Sequence, residues 1–129
     1  MKKEKIKKRK RELKIVPKAR VHIKSSFNNT LISASDDRGD VFAWSSTGMA
    51  GFKGTKKSTP YASSQAAKIV IDKMQEAQVK EIDLFVAGVS SGRDAAIRAF
   101  GSANFKIKKI KDITPIPHNG CRPKKPRRV

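Results

Sequence analysis

A chain of 129 residues with a net charge of +19 has room for one domain and is too basic for a generic soluble surface. The excess is uneven: residues 1–18 carry +8 and residues 118–129 carry +5, against +6 across residues 19–117. No apolar run approaches the roughly 20 residues that span a bilayer, and the lone Cys121, with His118 nearby, makes neither a disulfide nor a zinc set.

The basic start is not followed by the apolar stretch of a secretory signal, so the expectation is a cytoplasmic protein with no membrane role. Residues 1–18 read as a basic arm ended by Pro17. In residues 19–27, Val21 and Ile23 alternate with Arg20, His22 and Lys24, which predicts a first strand with His22 exposed on it. Asn28 and Asn29 tolerate positive φ and suit a tight hairpin, and residues 30–35 form the returning strand. Residues 36–40 (DDRGD) make a second turn. A third strand over residues 41–45 places Phe42 and Trp44 on one face and Val41 and Ala43 on the other.

Residues 48–59 (GMAGFKGTKKST) space three glycines three apart, with Lys53, Lys56 and Lys57 among them. The spacing is not that of a P-loop, and the GFKG tetrad alone does not make a KH-type clamp. Thr59 is an N-cap and Pro60 a first helical residue. The unpaired N–H groups of the helix they begin favour a phosphate beside those lysines. That helix is predicted over residues 60–78, burying Ala62, Ala66, Ile69, Val70, Met74 and Ala77 with the stem of Lys73.

Residues 82–87 (IDLFVA) predict a central strand covered on both sides. A second helix follows, capped by Ser91, with Asp94 in its first turn, Ala96, Ile97 and Phe100 inward, and Arg93 and Arg98 outward. Residues 105–113 predict a last strand with a bulge near Lys108 and Lys109. From residue 114 onward no acid occurs, four prolines stand in residues 113–129, and Arg122, Lys124, Lys125, Arg127 and Arg128 supply charge. Such a segment forms no helix or inner strand but can lie along a polyanion.

The fold class is therefore α/β: a mixed five-stranded sheet in the order βββαβαβ, with two main helices packed on it and basic extensions at both termini. The domain division is a 1–18 arm, a 19–113 α/β RNA-binding body and a 114–129 tail. Trp44, Tyr61 and most of the six phenylalanines are assigned to the core, which leaves no stacking platform for bases. The expected contacts run from lysines and arginines to phosphates, with Asn28, Asn29, His118 and Asn119 reaching sugars and base edges.

Four stretches in this order carry a family resemblance: SFNNT at 26–30, GFKG at 51–54, KSTP at 57–60 and TPIPHNGCRP at 114–123. From about residue 19 onward the chain resembles the universal small-subunit ribosomal protein conventionally numbered eleven, in its bacterial form. Val89, Ser90 and Ser91 depart from that family's Pro/Gly-rich turn, whereas Gly88, Gly92 and Arg93 follow it. The resemblance implies a structural protein of the small subunit that binds 16S-type rRNA on the platform. It also implies neighbouring platform proteins, mRNA nearby at the exit side of the decoding cleft, and RNA contacts at Ser58 and Arg93. No cofactor, metal or small-molecule substrate is implied.

Two rivals are weighed. The element order is also that of ribonuclease-H-like nucleases, whose chemistry needs clustered carboxylates in the sheet centre to hold metal ions. Residues 19–27 and 86–91 contain no acid, and fold analogy is not a site. A non-specific nucleic-acid-binding protein fits the charge but not the four matched stretches.

Overall fold

The alternation around Val21 and Ile23 produces β1 (Lys18–Ser25) in a computed structural model that describes residues 15–128. There follow β2 (Thr30–Ser35), β3 (Val41–Ser46), a short 3-10 turn (Gly54–Ser58), α1 (Pro60–Glu76), β4 (Glu81–Ala87), α2 (Ser91–Ser102) and β5 (Lys106–Asp112). The five strands form one sheet in the order β3-β2-β1-β4-β5. The meander β1–β2–β3 pairs antiparallel, whereas β1 with β4 and β4 with β5 pair parallel. The sheet is mixed and β1 is its centre, because the helical crossover returns the chain beside it.

One core joins the helices to the sheet. Val21, Ile23, Ile32, Leu84 and Ile82 meet Ala66, Val70 and Met74 of α1 and Ala96 and Phe100 of α2. Among the described residues Phe100 is the largest fully buried side chain, and its truncation to alanine would cost about 3–5 kcal/mol in lost burial and cavity. Alanines at the helix contacts let both axes come close to the strands. Thr59 caps α1 as expected, its Oγ1 accepting from the Ala62 N–H at 3.3 Å, with Pro60 first in the helix.

Several expectations are corrected. On β4 only alternate residues are buried, so this strand is covered by helices on one face and not on both. A bulge between Ala34 and Ser35 of β2 and their partners on β3 breaks the predicted alternation. Phe42 turns toward the core while Trp44 stands 59 % exposed on the opposite face. Phe27 and Tyr61 are also exposed, so the aromatic residues are not mostly core. The hairpin after β1 is a four-residue loop closed by Ser26 N–H donating to Asn29 O at 2.8 Å. Neither asparagine there adopts positive φ.

Within α1 the buried stripe takes in Ser63, Ala67 and Ile71, while Ile69 and Lys73 are half-buried. The N-cap of α2 is Ser90 and not Ser91. The predicted bulge on β5 is present, with Ile82 facing Ile107 and Asp83 facing Lys109, so that Lys108 is the extra residue. Of the predicted 1–18 arm, residues 1–14 lie outside the described residues. Val16 already belongs to the core, its N–H donating to Ala77 O at 3.0 Å.

Candidate nucleic-acid interface

The parallel strands β1, β4 and β5 end at the same edge of the sheet, and both helices begin there. The hairpin loop of residues 26–29, the lysine loop of residues 47–58 and the start of the tail gather at that edge, because β2 starts and β3 ends beside the end of β1. Topology thus collects segments far apart in sequence.

A run of hydroxyls ties the gathered loops together. Ser90 Oγ bonds Ser25 Oγ, Ser25 Oγ lies 3.5 Å from Thr30 Oγ1, and Thr30 Oγ1 is 2.9 Å from Ser63 Oγ. This chain links α2, β1, β2 and α1 through buried or part-buried groups, where each partner satisfies a donor that would be costly to leave alone. It explains why Ser90, although at the N-cap position of α2, makes no side-chain bond to its own helix. Asn29 extends the bracing: its Oδ1 accepts from Thr30 N–H at 2.8 Å and from Thr47 Oγ1. That oxygen therefore holds two loops together, while Asn28 is exposed.

Close backbone approach at this edge explains two glycines. Gly88 has φ +90°, and a Cβ there would stand 1.8 Å from Ser25 O. A Cβ on Gly92 would stand 2.3 Å from Ser63 Oγ and 2.7 Å from Thr30 Oγ1. Only residues without a side chain let the start of α2 settle onto β1 and α1.

The predicted cations fall into three settings. Lys53 and Lys56 are exposed around the 3-10 turn, whereas Lys57 is half-buried with its stem 3.7 Å from the position of a Cβ on Gly48. Ser58 is half-buried and donates to Thr55 O at 2.9 Å. Arg93 is held internally, donating to Gly88 O at 3.1 Å and pairing with Asp112 at 2.8 Å. The Thr114 hydroxyl and backbone N–H, and then the Arg93 guanidinium, hold the Asp112 carboxyl down at about 2. Thr114 Oγ1 in turn accepts from Gly88 N–H at 3.2 Å, which roots the tail on the end of β4.

Beyond that root, residues 115–128 are exposed and carry no helix or strand. His118, Asn119 (φ +55°), Arg122, Lys124, Lys125, Arg127 and Arg128 all present their side chains there. Most acids of the body stand elsewhere: Asp36, Asp37 and Asp40 in the β2–β3 turn, Asp72 and Glu76 toward the end of α1, Glu81 at the start of β4. Among the described residues, Asp94 and Asp112, the latter paired with Arg93, are the acids near the gathered loops. Among the described residues no three of His, Cys, Asp and Glu form a group that could hold a metal ion.

The hydroxyl chain was missed in the sequence because serine and threonine at strand ends read as turn residues, and Ser25, Thr30, Ser63 and Ser90 stand too far apart along the chain for any local pattern to join them. A family model described as Ribosomal protein S11 matches residues 19–128.

Proposed function

The chain belongs to the ribosomal protein S11 family, and from that membership we propose that it seats on 16S-type rRNA at the platform of the small subunit. The family is one of structural, rRNA-binding proteins of the small ribosomal subunit, not of enzymes. On the finer reading, the chain is of the bacterial type, as the His118–Pro123 ending suggests, and works in the cytoplasm. It lies beside other platform proteins and near the mRNA exit side of the decoding cleft.

The observation that carries this reading is the gathering of basic segments at the edge where β1, β4 and β5 end, with acids largely elsewhere. Lys53, Lys56, Lys57, Arg122, Lys124, Lys125, Arg127 and Arg128 contact phosphates. Asn28, Ser58, His118 and Asn119 reach sugars and base edges. Asn29 and Arg93 act mainly as braces that fix the loops presenting the others.

The test is salt dependence. With about eight to ten phosphates neutralised, log affinity for a small-subunit rRNA fragment falls against log salt with a slope of about −6 to −9. A slope near about −2 would overturn the phosphate-directed reading.

A further inference from the structure

The sheet face away from the helices carries side chains that the phosphate-directed reading leaves unused. One row crosses all five strands in register: Trp44 on β3, Ser33 on β2, His22 on β1, Phe85 on β4 and Lys111 on β5. His22 and Phe85 are stacked, with ring centroids 5.0 Å apart and planes 15° from parallel. Ser33 is too small to fill the space between that stack and Trp44. The result is a slot two strand spacings wide, about 9–10 Å. Stacked aromatic rings keep their centroids about 4.5–7 Å apart, so one planar ring fits between Trp44 and His22 in contact with both. The groove around the slot has a volume of about 460 Å³ and is walled by Leu31, Ala87 and Ile113.

The charge on this face selects the occupant. By the alternation of β1, Arg20 and Lys24 project on the same side as His22. Lys109 Nζ lies 5.5 Å from the centre of the Phe85 ring. The acids on the same side of β4 are Glu81 and Asp83, and Glu81 is paired with Lys108 at 2.8 Å. A second copy would bring the same cations against these. Residues 1–14, with nine Lys/Arg against two Glu, would be repelled as well. A polyanion with planar apolar rings is complementary on both counts.

We propose that this face is a second RNA-binding surface, where an unpaired base inserts between Trp44 and the His22–Phe85 stack while Arg20, Lys24 and Lys109 take the adjoining phosphates. It goes beyond the phosphate-directed reading in place and in chemistry. Duplex RNA cannot use the slot, because its bases are already stacked on one another. Any unpaired base can, since each has a π-face.

Trp44 is the chain's one tryptophan, so its emission reports on the slot directly. The full chain is titrated with a 12-nucleotide oligo(U) and, separately, with a duplex RNA of equal charge. The expected result is strong quenching of Trp44 by the single strand and little by the duplex. Trp44→Ala, at an exposed position, should weaken oligo(U) binding by between about 5- and 150-fold, the range of one base–aromatic stack, with the salt slope unchanged. A variant with Arg122, Lys124, Lys125, Arg127 and Arg128 changed to alanine should lose salt slope yet keep the quenching, so the two surfaces fail separately. Equal quenching by duplex and single strand, or oligo(U) binding with no change in Trp44 emission, would overturn the proposal. So would shielding of Trp44 from acrylamide by RNA-free small-subunit proteins with no response to oligo(U), which would assign the face to a protein partner.

Discussion

A single methyl group tests how closely the loops are packed at the gathered edge. On Gly88 it would meet the Ser25 carbonyl oxygen at 1.8 Å, at a φ of +90°. Gly39 has nearly the same backbone angle, φ +93°, with nothing within 4 Å. Gly39→Ala therefore isolates conformational strain, about 1–2 kcal/mol. Gly88→Ala adds a clash between backbones that cannot move independently, and its total should be about 3–5 kcal/mol. Urea unfolding of the two variants measures the difference; equal midpoints would mean that β1 and the start of α2 do not meet as described. In the sequence Gly88 is visible as a turn residue. The approach to Ser25 is not, because it depends on the parallel pairing of β1 with β4.

At the scale of elements, Asp112 joins the end of β5 to α2 through Arg93 and to the tail through Thr114. Its carboxyl is held at about 2, below the 3.8 of an ordinary aspartate. A depressed carboxylate pKa stabilises the fold above the unfolded value, and that contribution is lost as pH falls through the folded one. The junction should thus be intact above pH 3.8 and open progressively toward pH 2. Hydrogen exchange at the Gly88 and Thr114 amides should accelerate across that window. In Asp112→Asn the acceleration over the same window should be absent; an unchanged profile would place its origin elsewhere.

Element identity was the most legible layer of the sequence. Two periods, the Thr59–Pro60 start and the break in alternation at Lys108 each have local causes. What stayed hidden came from pairing between strands. The bulge opposite Ser35 sends Phe42 and Trp44 to opposite faces, and no count along residues 41–46 shows it. The same holds for β4, whose apolar run suits burial on two faces although both helices pack on one. Of the interface, charge was readable by composition, whereas the tethering of Arg93 and Asn29 was not.

Across the whole molecule, the body and the tail divide by burial. Residues 118–128 are all exposed, and removing residues 118–129 deletes five cations without touching the core cluster. The shortened chain should keep native-like circular dichroism and a cooperative melt, since surface changes cost within about 0.5 kcal/mol each. Its RNA salt slope should fall by about half, with each lost phosphate contact removing about 1. Loss of the cooperative melt would show that the tail completes the fold, and an unchanged slope would show that it touches no phosphate.

The bulged, lysine-rich strand β5 also bears on what the chain meets before any RNA reaches it. An outermost strand offers unpaired N–H and C=O groups on which another chain can template itself, the first step toward fibrillar growth. Here that border carries Lys106, Lys108, Lys109 and Lys111, and the extra residue at Lys108 breaks the regular spacing a templating strand would need. Two such borders brought side by side would align like charges on a mismatched ladder. The lysines that favour a polyanion thus also act as gatekeepers, discouraging the newly made chain from adding to its own kind.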